Sequence, residues 1–471
     1  MDASAVPVQA SPSIWATLRE AVRGSRQDLT EAPIGRAVVL LAVPMVLEMF
    51  MESVFAVADV FFVGRLGADA VATVGITESL MTVIYAVAIG LSIGATATVA
   101  RRIGERDPAR AARAAGQSIV LGLAGAAAIG TAGAVFAPDL LRVMGASDSV
   151  IRTGSGFARV MLGGSGTVLL LFLVNAIFRG AGDAAIAMRV LWFANAINIA
   201  LGPCLIFGLG PFPEMGVTGA AVATTIGRGS GVLFQIYLLT RGGSRIALRR
   251  SHLRTDRQVL AGILRLSGVG MFQNFIGTAS WMGLIRILTG FGSAAVAGNT
   301  IGIRIIIFAL LPSFGVSNAA ATLVGQNLGA GKPDRAEAAV WRAGFYNTVA
   351  LSVVGLVFLV FARPLIGIFS SDPAVVPYGV RCLRIIAAGF LFYGYGMVLT
   401  AAFNGAGDTR TPTLINLVCL WMLEIPLAWV LAYPLGLGPT GVFTSVSVAF
   451  SVLALVSAVI FKQGRWKTQK V

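Results

Sequence analysis

The chain has 471 residues, of which 56% are hydrophobic and only 12% charged, about half the charged fraction of an ordinary soluble protein. That composition excludes a water-soluble globular class. The net charge of +15, from 36 Lys+Arg against 21 Asp+Glu, would suggest nucleic acid in a soluble chain, but in a membrane protein basic residues collect on the cytoplasmic side for insertion reasons.

Residues 1–36 read as a cytoplasmic tail: Arg19, Arg23, Arg26 and Arg36 flank no apolar core of a signal peptide. Within it Ile14, Trp15, Leu18 and Val22 recur at helical spacing, as in a short interfacial helix. Apolar runs then predict six spans in a lobe over 37–239, near 37–63, 71–99, 117–136, 157–177, 185–207 and 217–239. A polar cytoplasmic loop, 240–262, separates them from six more in a lobe over 263–461, near 263–288, 294–324, 343–361, 383–403, 413–433 and 441–461, before a cytoplasmic tail at 462–471. The expected fold is thus an all-α polytopic membrane protein of twelve transmembrane helices. Alternate connections are rich in arginine, from Arg101 to Arg113 and from Arg241 to Arg257, whereas the opposite ones hold only Arg65, Arg142, Arg152, Arg363 and Arg381. Both termini are therefore expected on the cytoplasmic side.

The halves repeat one another at a spacing of 225 residues. Phe178-Arg179-Gly180-Ala181-Gly182-Asp183 matches Phe403 and the run Gly405-Ala406-Gly407-Asp408, and Gly104, Pro108, Arg110 and Ala111 match Gly329, Pro333, Arg335 and Ala336. Six spans per copy make the repeats parallel in topology, which predicts two lobes related by a pseudo-twofold axis along the membrane normal. Two such lobes facing across a cleft suit alternating-access transport.

Five carboxylates fall within the spans: Glu48, Glu52, Asp59, Glu78 and Glu424. A charge at bilayer depth costs about 2.5–3.5 kcal/mol on insertion scales, so such groups usually face a polar interior and serve a function. Three lie on the first span, where Glu52 and Asp59 stand about 40° and 20° around the helix from Glu48, and Pro44 marks a kink on the same side. This stripe is the expected coupling site, with Asp59, Glu52 and Glu48 exchanging protons and an organic cation. Asn175, Asn195 and Asn198 are expected to complete a network with Asp59, or else to tie helices together. In the second copy Glu48 maps to Gln273 or Asn274, so coupling is expected in the first lobe alone. Glu424, beside Trp421 and Asn416, is the candidate substrate contact in the second.

The run Asp59-Val60-Phe61-Phe62-Val63-Gly64-Arg65-Leu66-Gly67, the run Thr322-Leu323-Val324-Gly325-Gln326-Asn327-Leu328-Gly329-Ala330-Gly331-Lys332 and the paired Gly-Ala-Gly-Asp loops resemble the multidrug and toxic compound extrusion (MATE) family, over about 35–461. The pattern around Asp59 looks like its DinF-type branch. The resemblance implies export of small, often cationic, organic compounds from the bacterial inner membrane by a monomeric antiporter driven by a proton gradient, or by a sodium gradient. It implies no cofactor and no metal, and membrane lipids rather than nucleic acid as surroundings. Acids used by the NorM-type branch are absent from spans seven, eight and ten.

A lipid-linked precursor flippase of the wider superfamily is the rival with the same fold, with Arg286 and Arg304 as its cavity cations. An enzyme fits least, because the single histidine, His252, lies in the polar loop and Cys204, Cys382 and Cys419 have no metal-ligand spacing. Gly329-Ala330-Gly331-Lys332 resembles the end of a P-loop, but Gln326 and Pro333 occupy positions that motif needs for glycine and Ser/Thr.

Overall fold

The computed structural model describes residues 13–471; the first twelve residues of the expected tail lie outside the described residues. Ser13 caps an amphipathic helix α1 (Ile14–Arg23), whose Ile14 and Trp15 are exposed. The first lobe then comprises α2 (Ile34–Gly64), α3 (Ala68–Gly104), α4 (Pro108–Val143), α5 (Asp148–Gly163), α6 (Ser165–Ala181), α7 (Ala184–Phe207) and α8 (Val217–Thr240). The second comprises α9 (Arg257–Thr289), α10 (Ser293–Gly329), α11 (Pro333–Gly367), α12 (Val376–Ala388), α13 (Phe390–Ala406), α14 (Arg410–Asn416), α15 (Ile425–Ala432) and α16 (Pro439–Lys462). Among the described residues ten rods are long and apolar enough to cross a membrane, counting α5 with α6 and α14 with α15, and the bent pair α12 and α13 makes an eleventh. The twelfth is α8, whose middle is made polar by Thr224, Thr225 and Arg228.

Two expected spans are broken at a glycine, and the ninth kinks at Phe361. The fourth breaks at Gly164 and the tenth at Gly389, where α12 and α13 meet at 61°. The two glycines are 225 residues apart, so the break belongs to the repeated unit; a residue without a side chain yields where neighbouring helices press on the rod. The eleventh span winds into a π-helical stretch (Leu417–Glu424) just before Ile425-Pro426, where proline supplies no N–H to the preceding turn. Pro44 itself lies buried inside an unbroken α2, so the expected kink does not interrupt that helix. The polar loop ends earlier than position 262, because Asp256 caps α9 through the N–H groups of Gln258 and Val259.

The pseudo-twofold is visible in individual contacts. Across the lobe boundary α2 packs on α10 and α9 packs on α3, which are the same contact with the copies exchanged. Gly104 faces the backbone of Gln326 while its repeat partner Gly329 faces the backbone of Arg101. Gly90 and Gly94 let α3 approach Met271 and Ser267 of α9 equally closely. Small residues permit this contact, since a Cβ at either 104 or 329 would strike a carbonyl of the other lobe.

All hydrogen bonds that join the lobes among the described residues lie in the half of the bundle nearer the basic face. Gln326 Nε2 donates to the Gly180 carbonyl at 2.9 Å, Arg101 Nη2 to that of Ala406 at 3.1 Å and Thr322 Oγ1 to that of Arg179 at 3.2 Å. Both chain ends cross this seam. The segment after α1 is gripped by Arg245 of the first lobe, through the carbonyls of Ser25 and Gln27, and by Lys332 and Arg335 of the second, through those of Thr30, Leu29 and Ala32. The expected tail at 462–471 is docked: Trp466 is buried, stacks on Phe461 at 4.5 Å and leaves Lys467 between Asp334 and Glu337. The lobes are thus closed together at the basic face.

Gly104→Val and Gly329→Val should each wedge this seam open. In a chain whose three cysteines are replaced, a cysteine introduced at the fully buried Thr322 should react with a water-soluble maleimide faster in either valine variant than in its absence. Equal rates would show that these glycines do not set the closure.

Candidate functional site

The first-lobe acids stand on α2 because an apolar helix with a few charges buries them only where other helices supply counter-ions. Glu48 is fully buried, and its Oε1 accepts from Arg179 Nη1 at 2.8 Å and Asn175 Nδ2 at 3.0 Å, both on α6. Asn175 is itself oriented by Gln235 of α8, which donates to its Oδ1 at 2.7 Å. One turn on, Glu52 Oε1 accepts from Arg228 Nη2 of α8 at 3.2 Å and its Oε2 from Asn195 Nδ2 of α7 at 3.2 Å. The Arg228 guanidinium lies over the rings of Phe55 and Phe172, 5.5 and 5.9 Å from their centroids, an environment that suits a planar cation.

Two ion pairs therefore replace the expected stripe of free carboxylates, and the asparagines serve them rather than Asp59. Asn175 binds Glu48, Asn195 binds Glu52, and Asn198 donates to Thr224 Oγ1 at 2.8 Å. Asp59 stands about 16 Å beyond Glu48 along α2, half-buried, with no hydrogen bond or ion pair among the described residues. The pairs differ in access: the Glu48 and Arg179 side chains are 2% and 9% exposed, whereas Glu52 is 21% exposed.

A cavity of about 380 Å³ lies between the lobes directly above the closed seam. The first lobe contributes Glu48, Met49, Glu52, Phe172, Asn175 and Arg179; the second contributes Asn274, Phe314, Asn318 and Asn404. Of the two repeat positions of Glu48, Asn274 reaches the cavity, while Gln273 is buried beside it and lines no part of it. Glu424 is elsewhere, inside the second lobe: its Oε2 accepts from Ser280 Oγ at 2.6 Å. Trp421 donates to the Ile276 carbonyl at 3.0 Å and Asn416 is half-buried without a hydrogen bond among the described residues. None of these three lines the inter-lobe cavity.

Arg286 and Arg304 are exposed and outside this cavity. The cations of the site are Arg179 and Arg228, which counting acids alone does not find. The signal was present, since Arg228 interrupts the sixth span and Arg179 sits inside the Phe-Arg-Gly-Ala-Gly-Asp loop, whose second copy has Asn404 instead.

A twelve-span helical protein with two parallel copies and a polar inter-lobe cavity is the architecture of a secondary transporter. The MatE family model matches residues 44–204 and again 270–430, and the chain belongs to that family. A probable multidrug resistance protein, NorM of Thermotoga maritima, is 28% identical over 93% of this chain and 94% of its own length. An FAD transporter of Shewanella oneidensis is 27% identical, over 86% and 89%. Among solved structures, a MOP superfamily transporter of Pyrococcus furiosus whose binding pocket is described as of reverse polarity superposes with a TM-score of 0.88 at 25% identity, covering 94% of this chain and 98% of that one. An outward-facing MATE family transporter superposes with a TM-score of 0.87 at 25% identity, with the same coverage.

Arg179→Met should destabilise the protein by about 3–5 kcal/mol, because it leaves the buried Glu48 charge without its partner. Thermal unfolding in detergent should show a clear fall, and the double variant Glu48→Gln with Arg179→Met should recover most of it. A double variant no more stable than the single one contradicts the pairing.

Proposed function

We propose that the chain is a secondary active antiporter that exports organic, often cationic, compounds from a bacterial cytoplasm in exchange for protons. The basic face and both termini are then cytoplasmic, and the arrangement closed at that face is the outward-facing one. The observation that carries this reading is the charge balance around α2: three carboxylates, Glu48, Glu52 and Asp59, against two guanidiniums, Arg179 and Arg228. On α2 one carboxylate, Asp59, is left over, with Glu78 of α3 a second unpaired membrane acid of the same lobe among the described residues, and either a proton or an organic cation can cancel the charge on α2. Competition for that single charge is the coupling.

The roles divide by pairing. Glu48 is held by two donors and positions α2 against α6. Glu52 meets the cavity and can release Arg228 when cargo or a proton replaces that partner. Asp59, which makes no ion pair or hydrogen bond among the described residues, is the proton carrier in this scheme. Exchange of one proton for one monovalent cation moves no net charge, so the pH gradient alone drives it, at about 1.4 kcal/mol per unit. Among the described residues the other lobe carries no copy of these acids, Asn274 standing at a repeat position of Glu48.

Arg179 and Arg228 favour a second reading of the cargo. Arg179 lines the cavity, and Arg228 Nη1, just behind Glu52, is buried without an acceptor among the described residues, so a compound bearing an anionic group has cations to meet there, as the FAD transporter's name and the reverse polarity of the Pyrococcus pocket recommend for those proteins.

In proteoliposomes, Asp59→Asn should abolish efflux of tetraphenylphosphonium driven by a pH gradient, while expression and melting stay unchanged. Replacing sodium by N-methylglucamine should leave wild-type efflux intact. Normal transport by the variant overturns the role of Asp59, and collapse without sodium overturns proton coupling. Uptake of FAD in place of the cation would select the anionic reading.

A further inference from the structure

A second cavity, of about 490 Å³, opens at the basic face beside the lobe seam. It lies between the end of α3, the start of α4 and the start of α9, with the C-terminal segment as its fourth wall. Its lining carries five cations, Arg102, Arg110, Arg113, Arg265 and Lys470, against the single acid Asp256. The cations are incompletely neutralised. Arg102 and Arg110 pair with Glu105 and Asp107 of the same turn, Arg102 Nη2 also donates to the Val471 oxygen at 2.7 Å, and Arg113 shares Asp256 at 3.4 Å while staying 56% exposed. Arg265 and Lys470 are exposed and have no ion pair or hydrogen bond among the described residues.

What distinguishes this cavity from the general arginine collar is the surface beneath it. From Arg265 the same face of α9 continues through Gly268, Phe272 and Phe275, at helical spacings of three, four and three residues. Nothing lies within 4 Å of a Cβ built at Gly268, and Phe272 and Phe275 are 52% and 60% exposed with their rings stacked 6.4 Å apart. The adjoining face of the helix, about 100° around from this stripe, is the one that packs on α3, through Ser267 and Met271. A pocket of positive charge thus sits at the head of an open apolar groove that runs down toward the membrane interior.

We propose that this is a binding site for an anionic phospholipid of the leaflet at the basic face, its phosphate held by Arg113, Arg265 and Lys470 and an acyl chain lying over Gly268, Phe272 and Phe275. The occupant follows from the juxtaposition. A soluble phosphate compound would satisfy the cations but leaves the groove unused, and a neutral lipid would use the groove but not the charge. Because α3 and α4 belong to one lobe and α9 to the other, the headgroup bridges the seam and favours the arrangement closed at the basic face. The site holds whichever ion drives transport.

The test uses the full chain in phosphatidylcholine nanodiscs, with phosphatidylglycerol titrated in and bound lipid read by native mass spectrometry. Wild type should retain phosphatidylglycerol over phosphatidylcholine, and Arg113→Gln and Arg265→Gln should each lower its retention about fivefold, near 1 kcal/mol per arginine. Arg286→Gln, at the far end of α9, should change nothing. Gly268→Trp, which fills the groove and alters no charge, should also lower retention. Millimolar pyrophosphate should fail to displace the lipid. Retention unchanged in the arginine variants overturns the site. Displacement by pyrophosphate, or indifference to Gly268→Trp, overturns the lipid in favour of a free phosphate compound. Melting in pure phosphatidylcholine, expected to be equal for all variants, separates loss of binding from loss of fold.

Discussion

Everything in the first lobe depends on the rule that a charge buried in a low-dielectric bundle needs a partner. Glu48 and Glu52 are one turn apart on α2, yet they do not share a site: each is drawn to a guanidinium on a different helix, Arg179 on α6 and Arg228 on α8. Asn195 of α7 and Gln235 of α8 complete the two pairs. Three helices, α6, α7 and α8, are therefore fixed around α2 by polar contacts. The cavity wall is a by-product of those contacts, because Glu52 and Arg179 face the space left between the lobes.

The duplicated backbone and the unduplicated charges do different work. The repeat builds a seam in which equivalent glycines, Gly104 and Gly329, let the two copies touch across the axis. The contacts there run through small residues and a few carbonyls. Polarity is instead concentrated in one copy. The second lobe has an apolar cavity of about 190 Å³ lined by Trp281, Phe390 and Phe450, and its one membrane acid, Glu424, is turned inward to Ser280.

The boundary is also where the aqueous and lipid surroundings meet the protein. Helices α3 and α10, each of 37 residues, extend about 55 Å, well beyond a hydrocarbon core of about 30 Å. Their ends carry the arginines and glycine turns of the basic face. Arg106 illustrates how closely the copies correspond there: it adopts a left-handed conformation, φ 56°, at the position where the second copy has Gly331, φ 70°. The strain of that conformation for a side chain is accompanied by ion pairs from Arg106 to Asp28 and Glu31, which fasten the segment before α2.

Much of this was legible in the amino-acid sequence. Long apolar runs and the 225-residue offset determine span number and parallel topology, since each reports a local or additive property of the chain, and the arginine asymmetry sets the expected orientation. The acids of α2 were legible too, because a carboxylate in an apolar run is conspicuous by itself. Their partners were not. Whether Asn175 meets Glu48 or Asp59 depends on how α6 is rotated and tilted after the break at Gly164, and a cation in one span neutralises an acid in another only once the helices are packed. Hydrophobicity places a helix in the membrane without stating which neighbour it faces. The sequence by itself therefore determined the class, the symmetry and the lobe that carries charge, while tertiary packing alone decided that Glu48 and Glu52 are paired, that Asp59 stands apart, and that Glu424 is turned away from the cavity.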